Sequence, residues 1–169
     1  MTAPAHLKTT AAALKLLLLD VDGVLTDGRL YYNPQGEVSV GFHIQDGLGI
    51  HLLQQHGIEV GILTGKNHPA VTHRMQELGV KHLYQGLSDK VPTYESLLKT
   101  LKLSEAQVAY MGDDLPDLPI LQRVGLSVCP ANANPYVRQA VHWVTKAKGG
   151  RGAVRELVDF ILEAKQITP

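Results

Sequence analysis

The chain has 169 residues, 16 of them basic and 16 acidic, so its formal net charge is zero, and it carries one cysteine. A chain of this length supports one core of ordinary size and is short for two, so a single domain over 1–169 is expected. Balanced charge removes the broad attraction that nucleic acid or an anionic membrane would need, and the lone Cys129 can form no internal disulfide, which suits a cytoplasmic protein.

Residues 1–14 carry no strong pattern and are expected to be flexible. The apolar stretch Ala11–Leu19 is broken by Lys15, runs directly into Asp20 and Asp22, and is too short to cross a bilayer. Its second half, Leu16–Leu19, reads as a buried strand, as do Val60–Leu63, Val108–Met111, Leu126–Val128 and, less strongly, His142–Val144. Between the first two strands, Arg29–Phe42 holds Tyr31 and Tyr32, then Asn33-Pro34-Gln35-Gly36, then alternating Val38 and Val40, the pattern of a β-hairpin. Helices are expected over Gly47–His56, Pro69–Leu78 and Lys90–Leu101; the second has proline at its start and Gly79 just past its end. In the last helix Val154, Leu157, Val158, Ile161 and Leu162 recur at i, i+3, i+4, i+7 and i+8. Strand and helix in alternation predict an α/β fold with a parallel sheet covered on both faces.

The residues just past the strand ends carry the chemistry. Asp20, Asp22 and Gly23 come after the first, Thr64 and Gly65 after the second, and Gly112, Asp113 and Asp114 after Val108–Met111. In a parallel sheet those ends meet in one crevice, so carboxylates would gather where each needs a positive partner, and Mg²⁺ is the economical one. A carboxylate can attack phosphorus directly, and Asp20 is placed to do so. Asp22, two residues on, could serve as general acid and then base, while Thr64 and Lys90 could hold the phosphoryl oxygens and Asp113 complete the metal shell. A signalling receiver domain also collects aspartates, a threonine and a lysine at strand ends. Receivers, however, pair adjacent acids after the first strand, whereas here the pair is Asp20 and Asp22.

The run Leu19-Asp20-Val21-Asp22-Gly23-Val24-Leu25-Thr26, then Leu63-Thr64-Gly65, Lys90 and Gly112-Asp113-Asp114, resembles the four motifs of the haloacid dehalogenase superfamily. From about Lys15 onward the chain is similar to its capless, tetrameric subgroup, whose members hydrolyse sugar-acid phosphates such as 3-deoxy-D-manno-octulosonate 8-phosphate in lipopolysaccharide biosynthesis. Further matches are Thr26-Asp27-Gly28, the stretch from Phe42 through Asp46-Gly47-Leu48-Gly49-Ile50, Asp113-Asp114-Leu115-Pro116-Asp117 and Gly149-Gly150-Arg151-Gly152-Ala153-Val154-Arg155-Glu156.

The resemblance implies a Rossmann-like fold with residues 29–42 as a small hairpin flap, no large cap domain, and 148–169 as a tail and C-terminal helix. It implies Asp20 as nucleophile, Asp22 as acid and base, and Mg²⁺ held by the Asp20 side chain, the Asp22 carbonyl and Asp113. Substrate contacts are implied for His43, Ile44, Gln45, Asp46, Gly47, His51, Lys66, Arg74 and Lys90, with Arg151 on a glycine-hinged tail that reaches a neighbouring subunit of a tetramer. Gln45, His51 and Lys66 stand where arginine is common in that subgroup, and loss of planar guanidinium forks weakens bidentate holding of a carboxylate. A nonulosonate 9-phosphate of the sialic acid type is therefore an open alternative substrate. His56, His68, His73, His82 and His142 have no metal-ligand spacing, and Trp143 is expected in the core.

Overall fold

The computed structural model describes residues 5–168. Six parallel strands form the central sheet: β1 (Leu16–Leu19), β4 (Glu59–Leu63), β5 (His82–Tyr84), β6 (Val108–Met111), β7 (Leu126–Cys129) and β8 (Trp143–Val144), in the order β5-β4-β1-β6-β7-β8. Two further two-residue strands, β2 (Tyr31–Tyr32) and β3 (Val38–Ser39), pair antiparallel as the expected hairpin. The helices are α1 (Lys8–Ala13), α2 (Ile44–Gln55), α3 (Pro69–Glu77), α4 (Val91–Leu101), α5 (Leu118–Leu121), α6 (Pro135–Ala140) and α7 (Ala153–Ala164).

Alternation within β1 divides the core in two. Leu17 and Leu19 join a cluster with Ile50, Leu53, Val71, Met75, Leu157 and Ile161, so α2, α3 and α7 cover that face. Leu16 and Leu18 face the other way, onto Tyr94, Leu97, Ile120 and Val137 of α4, α5 and α6. Each fully buried aliphatic side chain contributes roughly 1.5–3 kcal/mol. All four residues of β1, β6 and β7 are buried, which is why these strands read as unbroken apolar runs.

Residues 5–14, expected to be flexible, are instead part of the fold; residues 1–4 lie outside the described residues. Leu7, Ala11 and Leu14 are buried against the core, Lys8 pairs with Glu163 at 2.7 Å, and the Lys165 ammonium donates to the Ala12 carbonyl. The amphipathic signal of α1 is one turn and a half long, too short to stand out. Strand β5 is not evident in the sequence for a similar reason: three half-buried residues at a sheet edge show no alternation. The helix α2 starts three residues before the expected Gly47, because Gly47 and Gly49 interrupt its apolar periodicity.

The chain leaves β1, runs to β4 and β5 on one side, and returns through α4 to β6 on the other side of β1. The topological switch point therefore lies at the carboxyl ends of β1 and β6, where crevices of open parallel sheets form.

Candidate active site

At that switch point lies a cleft of about 550 Å³ whose walls include Asp20, Asp22, Thr64, Lys66, Lys90, Asp113 and Asp117. Of the residues expected just past the strand ends, Asp20, Asp22, Gly23, Thr64, Gly65, Asp113 and Asp114 all line it. Asp20 is only 7 % exposed, and its backbone N–H continues the sheet by donating to the Met111 carbonyl. The Lys90 ammonium, equally buried just before α4, donates to Asp20 Oδ1 and to Asp117 Oδ1, each at 2.8 Å. Burial by itself would lower the pKa of Lys90, but the two carboxylates outweigh it, so the ammonium stays charged.

Asp117, absent from the four motifs, also stands in the cleft. Its Oδ1 accepts from Lys90 and from the Tyr110 hydroxyl, and its Oδ2 accepts from the backbone N–H groups of Asp113 and Asp114. It therefore fixes both the lysine and the loop after β6. Its position four residues after Asp113, in a turn whose N-cap is Asp114, was the available signal. Tyr110, fully buried in β6, is held in its protonated form by burial and by the charges of Asp117 and Asp20.

Asp20, Asp113 and Asp117 bring one carboxylate oxygen each within 4.8 Å of one another. Their oxygens are not equally available. Asp117 is satisfied by four donors, whereas the Asp113 carboxylate meets no hydrogen-bond donor among the described residues. Burial, then the charges of Asp20, Asp117 and Asp114, push Asp113 up to about 7; burial and Asp117 push Asp20 up to about 6 against the pull of Lys90. One ammonium is too little positive charge for three converging acids, so the donor set fits a hard divalent cation beside Asp20 and Asp113. Glycines make this approach possible: a Cβ at Gly23 would overlap the Asp113 carboxylate, and one at Gly112 would overlap Asp117.

Asp22 remains partly open to the cleft, with Lys66 Nζ at 3.5 Å from Oδ2. Thr64 is 2 % exposed at the end of β4, its N–H and C=O taken by Tyr84 and Leu87. The loop that carries Asp22 is wound around one carbonyl: Val21 C=O accepts from the N–H groups of Val24, Leu25 and Thr26, and the Thr26 hydroxyl also accepts from Gly28 N–H at 3.2 Å.

The remaining implied substrate residues do not line this cleft within one chain. Ile44 and Gln45 are exposed at the start of α2, and Ile44 is 81 % exposed. His43 lies with Nδ1 buried and, among the described residues, without a hydrogen-bond partner, and Asp46 is buried under α7. Arg74 presses against Gly47 and pairs with Glu77 at 2.7 Å; His51 lines a separate depression with Gln54, Gln55 and Glu59. Arg151 sits with Asp27, Arg29, Asn132 and Lys148 around a hollow of about 450 Å³ that shares the 23–29 loop with the cleft. Its neighbours Gly149 and Gly150 lie against their own chain rather than extending from it.

Outside the site, several of the other singled-out residues have local roles. His68 Nδ1 caps α3 by accepting from Ala70 N–H, Trp143 packs edge-on against Phe160, and burial first among its causes pushes the Cys129 thiol up to about 12. No described helix is long and apolar enough to cross a membrane.

A family model described as haloacid dehalogenase-like hydrolase matches residues 82–157. A protein of Yersinia pestis named 3-deoxy-D-manno-octulosonate 8-phosphate phosphatase is 49 % identical over 155 residues, covering 92 % of this chain and 83 % of the relative. The crystal structure of the phosphatase of that name from Yersinia pestis superposes with a TM-score of 0.94 at 47 % identity, covering 96 % of this chain and 88 % of the other. That of Moraxella catarrhalis, solved with a magnesium ion, a phosphate ion and a KDO molecule, gives a TM-score of 0.93 at 38 % identity, covering 95 % and 92 %.

Proposed function

The chain belongs to the 3-deoxy-D-manno-octulosonate 8-phosphate phosphatase family of haloacid dehalogenase-like hydrolases, and we propose that it hydrolyses that sugar-acid phosphate through an aspartyl-phosphate on Asp20. The observation that carries this reading is the pairing of Asp20 with Lys90 at 2.8 Å inside a cleft that Asp22 and the donor-free Asp113 carboxylate also line.

In the first half-reaction an oxygen of Asp20 bonds to phosphorus as the bond from phosphorus to the sugar oxygen breaks. Asp22 gives its proton to that departing oxygen. In the second half a water attacks the aspartyl-phosphate, Asp22 takes the water's proton, and inorganic phosphate leaves with Asp20 restored. Acid and base work of this kind contributes about 10²–10⁴-fold. Lys90 keeps the attacking carboxylate ionised and, with the Thr64 hydroxyl, stabilises charge on the equatorial phosphoryl oxygens. A divalent cation, which we take to be Mg²⁺, would be held by the side chains of Asp20 and Asp113 and the carbonyl of Asp22. It supplies charge neutralisation between the acids and the phosphate dianion.

Preference for a sugar acid is supported by the cations in and beside the cleft: Lys66 on its wall next to Asp22, Arg29 at the end of the 23–29 loop, and Lys148 and Arg151 beyond that loop. The hairpin is too small to cover the cleft. Tyr31, Tyr32, Ile44 and Leu48 are all at least half exposed, which favours an assembly of copies of this chain, in our reading a tetramer that covers each cleft from a neighbour. Release of the dephosphorylated acid in the cytoplasm would supply lipopolysaccharide biosynthesis.

The test is a panel of substrates with wild-type and Asp20→Asn protein. The wild type is expected to prefer 3-deoxy-D-manno-octulosonate 8-phosphate over ribose 5-phosphate by about thirtyfold or more, the worth of one well-placed carboxylate contact, and Asp20→Asn to be inactive. Equal efficiency on both esters, preference for a nonulosonate 9-phosphate, or an active Asp20→Asn would each overturn the corresponding part.

A further inference from the structure

The loop Val21–Asp27 that carries Asp22 has no secondary structure of its own, yet it must place a carboxylate to a fraction of an ångström. It is held from behind by the glycine strap 149–152. Gly150 N–H donates to the Val24 carbonyl at 2.9 Å. A Cβ at Gly149 would overlap the Gly23 carbonyl, and one at Gly150 (φ +63°) would run into the backbone of Thr26 and Asp27. Here two stretches of main chain lie flush, an approach that only glycine permits.

The strap is anchored at both ends. At its start Gly149 N–H donates to Asn132 Oδ1 at 2.9 Å. At its end stands Asp46, which lies more than a hundred residues away in sequence and 1 % exposed on α2. The N-cap of α7 is Gly152 (φ +94°), which has no side chain to satisfy the first amides of that helix. Asp46 does so from outside: Oδ1 accepts from Arg155 N–H at 2.7 Å and Oδ2 from Gly152 N–H at 3.2 Å. Burial of this carboxylate is only partly offset by those two bonds and by His43, whose Nδ1 lies 4.0 Å from Oδ2. At φ +94° the N-cap position excludes an ordinary serine cap, so the acceptors for these amides come from another element, and Asp46 ties α2 to the turn where the strap enters α7.

We propose that Asp46 is a positioning residue for phosphoryl transfer: by capping α7 it fixes the strap 149–152, which in turn sets the backbone of the Asp22 loop in its own subunit. The proposal rests on the phosphatase reading for its kinetic arm only. It differs from a role in holding the sugar acid, because a positioning residue alters the chemical step for every phosphate ester, whereas a substrate contact alters KM for the sugar acid alone.

The experiment measures kcat and KM for Asp46→Ala, Asp46→Asn and Gly149→Ala on 3-deoxy-D-manno-octulosonate 8-phosphate and on p-nitrophenyl phosphate, with Asp159→Ala as control. Asp159 pairs with Arg155 on the same helix without touching the strap. Hydrogen exchange of the peptide over 21–28 is read in parallel and needs no substrate. Misplacement of a reacting group by about 1 Å lowers rate by up to about 10²-fold. Asp46→Ala and Gly149→Ala should therefore lose about tenfold or more in kcat on both esters, with KM within about twofold, and show faster exchange over 21–28 but not in β1 or β6. Asp46→Asn, which keeps one acceptor oxygen, should fall between, and Asp159→Ala should match wild type. If Asp46→Ala does not fold, the other two variants carry the test. Wild-type kcat in Gly149→Ala and Asp46→Asn, or a kcat loss without faster exchange over 21–28, overturns the proposal. A KM increase confined to the sugar acid would make Asp46 a substrate contact instead. A wild type inactive on both esters would end the phosphatase reading while the exchange result still decides whether Asp46 holds the loop.

Discussion

Replacing Asp117 by asparagine is the most discriminating perturbation of the cluster, because it is nearly isosteric and removes no packing. Four donors converge on the native carboxylate: the Lys90 ammonium, the Tyr110 hydroxyl and the amides of Asp113 and Asp114. Asparagine offers one acceptor oxygen, so whichever way its amide turns, an NH₂ group faces two donors. Hydrogen bonds to charged groups are worth about 1.5–3 kcal/mol each. Losing two of them, less the relief of repulsion from Asp20 and Asp113, leaves a net destabilisation of about 2–4 kcal/mol. That is a large part of the roughly 5–15 kcal/mol of a typical domain. Chemical denaturation with an unchanged m-value is the assay. Because the Asp117 charge is second only to burial in raising Asp20, Asp117→Asn should also move the acid limb of kcat/KM to lower pH. A variant within about 0.5 kcal/mol of wild type, or one whose acid limb moves up, would refute the assigned role of Asp117.

Chelation should abolish phosphatase activity and Mg²⁺ should restore it; full activity in metal-stripped protein would remove the cation from the account. With Asp113 up at about 7 and Asp20 at about 6 in the metal-free protein, both sites bind extra protons in the folded state. Metal-free stability should therefore fall as pH rises from about 4 toward 7, and Mg²⁺ binding near pH 6.5 should release protons, measured by calorimetry in buffers of different ionisation enthalpy. Leu14→Ala should cost about 2–4 kcal/mol by urea denaturation, since Leu14 is 1 % exposed in the core shared with α7; a neutral result would mean the N-terminal segment is not packed. Tyr31→Ser/Tyr32→Ser should reduce the assembly mass measured by light scattering if the hairpin joins the copies, and an unchanged mass would place the contact elsewhere.

The strands that were legible in the sequence are those buried on both faces, Leu16–Leu19 and Val108–Met111, because burial on two sides leaves no polar position to confuse the pattern. The acids at their ends were legible for the same reason: a carboxylate directly after such a strand can only lie at the sheet's rim. The residues that were not legible depend on contacts far apart in the chain. Asp117 reads as one more acid in a loop until Lys90, 27 residues before it, is seen against it. Asp46 reads as a substrate contact, and only its bonds to Gly152 and Arg155 place it under α7. The glycines 149 and 150 suggest mobility when read alone, whereas here they allow close docking onto the loop that carries Asp22. Composition cannot distinguish those two uses of glycine; the neighbouring backbone can.

If Asp20 carries the phosphoryl group during turnover, rapid acid quench of Asp22→Asn protein should trap it there. Without its base, that variant should hydrolyse the aspartyl-phosphate slowly and let it accumulate. Mass spectrometry of the quenched protein, after exposure to p-nitrophenyl phosphate with Mg²⁺, should find a phosphoryl group on the peptide that contains Asp20, formed in a burst matching the p-nitrophenol released. A burst of p-nitrophenol with inorganic phosphate already free and no phosphorylated aspartate would mean that water attacks the ester directly, and Asp20 would then be a ligand rather than the nucleophile.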